Sequence, residues 1–595
     1  MATKKRTNKA KESTSSASST SSSSLMASLP EMPDEVQAAI MSFAHLDEWL
    51  SLRSVTKSMK ASYGTKLPSL RFRQRFGCRH SRANPSGKSL VLLMEKQERL
   101  EELQISRKGV LSSVAAVLCR GKCQKIKRVR VDTNVTKGEL DALAAAIELE
   151  GLPMLEYLNV GCVKYDLSSF VSQAYSYKDW SCNPKMRVIF GVKKLFEVAL
   201  SQPSLRELHV PRPMTSVDLE ALADALEIRR QRGLPGLTKL DELTDKYLIV
   251  DNKGEFEGPG YDDDDNQIIL DDYEVEVAAD GRLILLPQSF DIIARILKIC
   301  LPTLESLFDC GALVYKSHHP EAFGQCILVS PPMALMELTL YCCEIEKDFA
   351  DGAAFAFLFN ALKTTSVPSL EHLNIEDPPL GAQSMESLCS AIESGAFPRL
   401  KNLDLHCSLI NDDGMVTLSR TMTAYPHLFQ HMTQLALNNS GFGEEGAKAL
   451  FLSLQAGACP VLRKLHVSGN KFGDEGLMSL VSALEEGAPC SNSLAVVDLS
   501  DCGIGWKGVK YLFNAMIQSK GVLPNIQMLD LSSNKAIGDE GIAVMLEAFR
   551  MGAGGKIKEL DIKRMGMGDK GAKLLGHAVV NHALPRELYT LRYRL

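Results

Sequence analysis

Pairs of glycines recur near the carboxyl end of the chain at almost constant spacing, and this repetition constrains the fold more than any other feature. The first glycines of five Gly-x-x-Gly corners are 30, 32, 33 and 30 residues apart, at Gly443, Gly473, Gly505, Gly538 and Gly568. A period of this length is typical of a solenoid, in which each unit packs against its neighbours. The sequence therefore predicts a repeat protein.

One unit shows what each repeat contains. Residues 462–467 alternate between apolar and polar as in a half-buried strand, and Asn470 follows where its side chain can bond the backbone of a tight turn. Residues 477–484 place apolar side chains at i, i+3, i+4 and i+7, which predicts an amphipathic helix. Because the strand and the helix each carry one apolar face, every unit needs neighbours to cover it.

The strand motif L-x-x-L-x-L-x-x-N/C ends at Asn470, Cys502 and Asn534 in three adjacent units. Together with the glycine corners and the phase of the helices, this motif resembles the leucine-rich-repeat family, in its long-repeat, ribonuclease-inhibitor-like class. The resemblance implies an α/β solenoid over residues 98–595, a horseshoe with a concave parallel sheet and convex helices.

Earlier repeats are less regular, but the first apolar position of the motif can be followed towards the amino terminus. It falls at Leu400, Leu370, Leu335, Leu304, Leu237, Leu205, Leu155, Ile126 and Leu100. Two steps exceed one period, which predicts insertions near residues 163–190 and 245–285, with one hidden repeat inside the second gap.

Residues 1–28 are rich in Ser, Thr and Lys and have no apolar period, so they are predicted to be disordered. Their basic run fits a nuclear-import signal or a solvated tail. Residues 29–75 are predicted to form a small helical head. Pro33 suits the first turn of a helix, and the apolar positions after it would form one face.

The head resembles the F-box family. The residues that fill positions of the F-box motif are Pro33, Glu35, Ile40, Phe43, Leu50, Val55 and Lys57, whereas Thr56 and Met59 replace its usual Cys and Trp. The resemblance implies docking to a Skp-type adaptor of a cullin-based ubiquitin ligase. The adaptor contacts that it carries over are Pro33, Ile40, Phe43, Leu46 and Leu50. The alternative is a helical cap that shields the first repeat.

Two charged segments stand out. Residues 241–280 hold 15 Asp or Glu, with the run Asp262 to Asp265 at the centre, which predicts a mobile acidic loop. A basic patch interleaved with Phe72 and Phe76 consists of Arg71, Arg73, Arg75, Arg79 and Arg82. Since the chain has a net charge of −5, this patch is interpreted as a surface linker, and a nucleic-acid partner is disfavoured.

The middle residue of each predicted strand should face a partner on the concave sheet. His466, Asp498, Asp530 and Asp561 would then lie exposed on four neighbouring strands, as a candidate site for a basic partner. The alternative is that Leu-Asp-Leu is ordinary repeat sequence with solvated carboxylates.

Catalytic, cofactor and metal signatures are not found in the sequence. The pairs Cys119 with Cys123 and Cys78 with His80 lack a second pair at zinc-site spacing, and no apolar stretch reaches the length of a membrane span. The expected function is a non-catalytic receptor that joins a Skp-type adaptor to an unknown protein substrate, in the cytoplasm or nucleus. An F-box-independent repeat scaffold or sensor, and a GTPase activator of the Ran type, are alternatives.

Overall fold

The computed structural model divides the chain into two compact units, and each is described by itself. Unit 1 comprises Met1–Lys164 and Phe190–Leu205, and unit 2 comprises Tyr165–Ile189 and Arg206–Leu595. The structure describes residues 69–73, 100–106, 110–132, 135–160, 192–209, 216–241, 249–250, 256–257, 273–277, 283–287, 290–309, 319–341, 353–376, 380–518 and 522–593. The predicted tail (1–28), the F-box-like segment (29–64) and the first insertion (163–190) lie outside these residues.

Unit 1 is a parallel sheet with helices. Its strands, in spatial order, are β1 (Ser69–Arg73), β2 (Glu102–Ser106), β3 (Arg128–Val131) and β4 (Tyr157–Val160). Its helices are α1 (Leu111–Leu118), α2 (Lys137–Glu148) and α3 (Val192–Ala199). Leu103, Val129 and Leu158, one from each of three successive strands, have no exposed surface, and the same is true of Leu143 on α2. The core therefore lies between the sheet and the helices.

Unit 2 repeats the strand and helix pair many times. Its strands are β5 (Glu207–His209), β6 (Lys239–Asp241), β7 (Ile249–Val250), β8 (Phe256–Glu257), β9 (Tyr273–Val277), β10 (Leu283–Pro287), β11 (Ser306–Asp309), β12 (Glu337–Tyr341), β13 (His372–Glu376), β14 (Asn402–Asp404), β15 (Gln434–Ala436), β16 (Lys464–His466), β17 (Val496–Asp498), β18 (Met528–Asp530), β19 (Glu559–Asp561) and β20 (Thr590–Arg592). Its helices are α4 (Ser216–Gln231), α5 (Phe290–Cys300), α6 (His319–Val329), α7 (Ala353–Thr365), α8 (Ala382–Glu393), α9 (Asn411–Ala424), α10 (Glu444–Gln455), α11 (Gly473–Glu485), α12 (Trp506–Gln518), α13 (Gly538–Arg550) and α14 (Asp569–Val580). Short 3-10 turns occupy Pro426–Phe429 and Pro489–Asn492.

The main sheet of unit 2 is parallel and follows the order of the sequence. Strand β5 pairs with β6, β6 pairs with β11, and each later strand pairs with the next up to β20. Leu465 at the centre of β16 is fully buried, and so are Leu477 and Val481 on α11. The predicted α/β solenoid of leucine-rich repeats is thus the observed fold.

The sequence located the repeats accurately. Each predicted first apolar position, from Leu100 to Leu400, is almost fully buried, and a strand begins two residues after it. The reason is that this residue ends the turn from the preceding helix and fills the core at the point where the chain enters the sheet. In the predicted helix of residues 477–484, the apolar positions are likewise buried while Ser479 and Ser482 are partly exposed.

Two boundaries differ from the predictions. Ser69–Arg73 was predicted to belong to the helical head (29–75), with Arg71 and Arg73 in a surface linker, but it forms β1 and pairs in parallel with β2. Strand β6 pairs directly with β11, so no hidden repeat adds a strand between them. The acidic insertion instead contains a small antiparallel sheet in the order β8-β7-β10-β9, where the sequence predicted a mobile loop. Its central acidic run, Asp262 to Asp265, lies outside the described residues.

A buried asparagine ties two repeats together in the carboxyl-terminal part of unit 2. The Asn470 amide donates to the carbonyls of Val467 in its own repeat (2.9 Å) and Leu437 in the preceding one (2.7 Å), and its Oδ1 accepts from Ser440 N (3.0 Å). Asn534 bonds Leu499 O and Cys502 N in the same manner, at 2.8 and 2.9 Å. The predicted turn contact of Asn470 is confirmed, and it extends to the preceding repeat.

The glycine corners are of two kinds, and they alternate. Gly473 and Gly538 adopt left-handed backbone, with φ of 64° and 56°, a conformation that costs glycine little. The helices that follow the next corners begin against an aspartate of the preceding repeat. Asp539 Oδ1 accepts from Gly568 N (2.7 Å) and Gly571 N (2.8 Å), and a Cβ at position 571 would lie 2.5 Å from that oxygen. These carboxylates cap the next helix, where its partial positive charge favours an anion.

Candidate functional site

The candidate site lies on the face of the unit 2 sheet that is turned away from the helices, called the open face below. In each three-residue strand from β14 to β18 the central residue is buried against the helices, and the outer two are on the open face. The third residues are in direct register from strand to strand. This row contains Asp404, Ala436, His466, Asp498, Asp530, Asp561 and Arg592.

The structure brings the four predicted partner-binding residues into one row, but it does not leave all of them exposed. Asp561 is only 6% exposed, and the side chains of His466 and Asp498 are 24% and 20% exposed. Asp561 is covered because Lys563 Nζ lies 3.0 Å from its Oδ2 and Arg592 Nη1 lies 3.9 Å from the same oxygen. The prediction that Asp561 is exposed was therefore wrong.

Each aspartate of the row also stabilises the turn that follows its strand. Asp498 Oδ1 accepts from Ser500 N at 3.0 Å, and Asp530 Oδ1 accepts from Ser532 N at 2.8 Å. Asp561 has the same contact with the backbone of Lys563, at 3.1 Å. An aspartate that bonds the backbone two residues later is a common turn device. One carboxylate oxygen of each residue is thus used for folding. In Asp498 and Asp530 the second oxygen is the one that a partner can contact, whereas in Asp561 it is already paired with Lys563.

The carboxylates of β17 and β18 differ in their electrostatic setting. Burial acts against the charged form of Asp498, but the His466 imidazole, whose Nδ1 lies 3.9 Å from Oδ2, and the bonds from Ser500 together lower the pKa of Asp498. Burial raises the pKa of Asp530, and the neighbouring charges of Asp498 and Asp561 add to this rise. Among the described residues, Asp530 has no Lys, Arg or His within ion-pair distance. A cation supplied by a partner would therefore relieve more charge repulsion at Asp530 than at Asp498 or Asp561.

An apolar pair beside these carboxylates was not predicted from the sequence. Val496 and Met528 are the first residues of β17 and β18, are in direct register, and are partly exposed. Each precedes an aspartate by two residues, so it lies on the same face about 7 Å away. The alternation within the strands could have indicated this pair, since it places the first and third residues together.

A second polar cluster on the open face centres on His406, which was also not predicted. Its Nδ1 lies 3.0 Å from Asp404 Oδ1, and its Nε2 lies 3.6 Å from Glu376 Oε2. The ring therefore lies between the carboxylates of Asp404 and Glu376. The signal in the sequence is again the two-residue period, because His406 follows Asp404 by two positions.

The adaptor contacts lie outside the described residues, as do Cys78 and His80; they are Pro33, Ile40, Phe43, Leu46 and Leu50. Burial raises the pKa of Cys123 to about 11, so its thiol is protonated at neutral pH. In the part of the chain that the structure describes, no three His, Cys, Asp or Glu side chains are grouped to hold a metal ion. None of the described helices is long and apolar enough to cross a bilayer.

Comparison with known proteins supports a leucine-rich-repeat protein. The family model described as Leucine Rich repeat matches residues 458–481, 490–513 and 522–546. The ribonuclease inhibitor of Sus scrofa is 27% identical over 248 residues, which are 42% of this chain. The chain spans about half (49%) of the length of this curated relative.

Two solved structures are similar to this chain at low identity. A chain of the yeast Rad7 and Elc1 complex is 13% identical, with a TM-score of 0.27, over 51% of this chain and 77% of that chain. A TLR13–ssRNA13 complex gives 12% identity and a TM-score of 0.33, over 84% of this chain and 72% of that chain. Both TM-scores are below 0.5. The repeats that the family model matches point to protein binding.

Proposed function

We propose that this chain is a protein-binding receptor whose open face in unit 2 holds a basic segment of a protein substrate. We further propose that its amino-terminal segment joins it to a Skp-type adaptor of a ubiquitin ligase. The first proposal is supported by the geometry of the open face, and the second by the F-box resemblance of residues 29–64. The chain would then bring a substrate to the ligase without chemistry of its own.

The observation that carries the first proposal is the pairing of an apolar row with an acidic row on β17 and β18. A Lys or Arg side chain has an apolar stem and a charged head, so it can bury the stem while the head contacts a carboxylate. The stem would lie on Val496 and Met528, and the head would reach Asp498 and Asp530. The distance of about 7 Å between the two rows matches the length of such a side chain.

The strands around this pair are well suited to a peptide partner. Successive strands pair in parallel from β14 to β20, each with the next along the chain. A binding surface that is ordered before the partner arrives loses less conformational entropy on binding. A partner that lies across several strands would therefore meet an already formed surface.

The open face can be tested by removing charge without changing shape. In the double variant Asp498→Asn and Asp530→Asn, we expect the recovery of basic partner proteins to fall and its salt sensitivity to weaken, because the interaction of charges near the surface is screened by salt. Asp561 is left unchanged because Lys563 and Arg592 already cover it. The matched control replaces two exposed glutamates of the helices, Glu475 and Glu540, with glutamine. An unchanged partner set, with circular dichroism showing an intact fold, would rule out this surface.

The adaptor proposal needs a separate experiment. A buried charge without a partner costs several kcal/mol, so Ile40→Asp should abolish co-purification of a Skp-type adaptor. Gln37→Asp adds the same charge at a polar position and serves as the control. If Ile40→Asp binds the adaptor as well as Gln37→Asp, the F-box interpretation is wrong and the helical cap is favoured. A GTPase activator would reveal itself by faster GTP hydrolysis when the chain is added to a small GTPase.

A further inference from the structure

Unit 1 carries a concentration of positive charge that the proposed function does not use. Between Arg120 and Arg130 the sequence has six Lys or Arg and no Asp or Glu. This segment, called the basic strip below, runs from the end of α1 through a loop into β3. Its cationic residues are Arg120, Lys122, Lys125, Lys127, Arg128 and Arg130, and all but Lys127 are exposed. The net charge of the whole chain is −5, so this concentration is local.

The loop part of the basic strip has a fixed backbone. Cys123 and Ile126 are buried, with 7% and 0% exposure, and anchor the loop in the core. Gly121 and Cys123 adopt left-handed backbone, with φ of 67° and 61°. Gly121 N donates to Leu118 O (2.9 Å), and Ile126 N donates to Cys123 O (3.2 Å). Lys122 and Lys125 therefore project from an ordered loop, since the residues on either side of them are held.

These two lysines have unused charge. Among the described residues, neither Lys122 nor Lys125 has an acidic side chain within ion-pair distance. The rest of the basic strip is partly balanced, because Lys127 pairs with Glu101 at 3.4 Å and Arg130 pairs with Asp132. The hydrogen bond that Arg130 donates to the Asp132 carboxylate also raises the pKa of Arg130. The charges of Lys122 and Lys125 in the loop are therefore not balanced by a described acidic side chain, whereas Lys127 and Arg130 are held in place by their ion pairs.

Arg128 is held by an aromatic ring. Its guanidinium carbon lies 4.1 Å from the centre of the Tyr157 ring, and Tyr157 is only 7% exposed. Stacking of this kind orients the planar guanidinium. Because Arg128 covers the ring, Tyr157 does not offer the face on which a nucleic-acid base would stack.

We propose that the basic strip of unit 1 is a docking surface for an acidic segment, rich in Asp and Glu, of a partner protein. Charge complementarity fits such a segment, which can place its carboxylates at Lys122 and Lys125 and avoid the acidic side chains Glu101 and Asp132 beside β3. A nucleic acid carries a charge at every phosphate and would bring some of these charges against the same two carboxylates. This surface is independent of the open face of unit 2 and has the opposite charge.

The probe for this surface is a fluorescein-labelled peptide of ten glutamates, with single-stranded DNA of ten nucleotides as the comparison, and both are titrated with the full chain. Lys122→Glu combined with Lys125→Glu should weaken peptide binding by about tenfold at low salt, because mutation of charges that steer association changes affinity through repulsion as well as loss of attraction. The matched control reverses two exposed lysines of unit 2, Lys535→Glu and Lys570→Glu, and should bind within about twofold of the parent.

Two further results decide the proposal. The neutral variant Lys122→Gln with Lys125→Gln should weaken the peptide by a smaller factor, and thermal melts followed by circular dichroism should match the parent, so that misfolding does not imitate the effect. The proposal is overturned if the parent does not bind the peptide, or if charge reversal at the strip weakens it no more than charge reversal in unit 2. It is also overturned if DNA binds more tightly than the peptide and loses affinity in the same variant.

Discussion

Two neighbouring repeats of unit 2, one containing β16 and the other β17, use the same motif position in different ways. The first has Asn470, whose side chain makes bonds to both its own repeat and the preceding one. The second has Cys502, whose Sγ lies 3.4 Å from Val467 O and whose backbone N donates to Asn534 in the next repeat. The two residue types at this motif position thus have different roles. The Asn side chain forms hydrogen bonds with the backbone of the preceding repeat, whereas the backbone of the Cys residue is bonded by the Asn side chain of the next repeat.

The same division appears on both sides of this pair. Repeats with Asn470 and Asn534, called asparagine repeats, are preceded by repeats with Ser440 and Cys502, called small-residue repeats. Asparagine repeats also have the left-handed corner glycine, and the aspartate that follows it caps the helix of the next repeat. The lesson is that neighbouring repeats are joined by polar contacts that a single repeat cannot satisfy.

The largest expected effect comes from breaking the asparagine link. Asn470→Ala leaves Ser440 N and Leu437 O buried without partners and leaves Val467 O with only the weak Cys502 thiol donor, so we expect the free energy of unfolding to fall by about 3 kcal/mol. The paired change in the neighbouring repeat, Cys502→Ser, should cost less than about 1 kcal/mol, because a hydroxyl can donate to the same carbonyl. Urea unfolding measures both, with Asn514→Ala on the exposed side of α12 as a control. Equal losses at positions 470 and 502 would contradict two roles for the motif position.

A smaller effect is expected at the aspartate cap. Asp539→Ala removes the acceptor for Gly568 N and Gly571 N, so stability should fall by about 1 kcal/mol. Gly571→Ala should be destabilising alone, since its Cβ would lie 2.5 Å from Asp539 Oδ1. The double variant should cost less than the sum of the two, because removing the carboxylate also removes the clash. Additive losses in thermal unfolding would show that the glycine is needed for another reason.

The smallest expected effect on the free energy of unfolding has opposite signs for Asp498 on β17 and Asp530 on β18. Folding lowers the pKa of Asp498, so its contribution to stability is present at neutral pH and is lost as the pH falls through the folded-state pKa. Folding raises the pKa of Asp530, so the stability it contributes is present in acid and is lost as the pH rises. At pH 7, Asp498→Asn should destabilise and Asp530→Asn should stabilise, each by roughly 0.5 kcal/mol after solvent screening. Both differences should shrink as the pH falls, for Asp530 through its raised folded-state pKa and for Asp498 through its lowered one. Changes of the same sign at pH 7 would overturn this assignment.

The sequence was most informative where the fold depends on apolar period. Leu304 and Leu335 located β11 and β12 to the residue, because burial in a repeat is dictated by local spacing. The direct pairing of β6 with β11 could not be predicted in this way, since the length of an insertion does not show whether it adds a strand. The burial of Asp561 was missed for a related reason. It depends on where Lys563 and Arg592 place their charges, and Arg592 comes from the next repeat.

Because asparagine repeats and small-residue repeats alternate, this part of the array has a structural period of two repeats. Deleting one repeat would place two asparagine repeats, or two small-residue repeats, next to each other. At that junction the buried Asn amide would meet a repeat of the same kind, or a helix would lose the aspartate that caps it. Deleting or duplicating two repeats would restore the phase. The stretch from Ser440 to Asn534 can therefore be lengthened or shortened in even steps, and the breadth of the open face would change by two strands at a time.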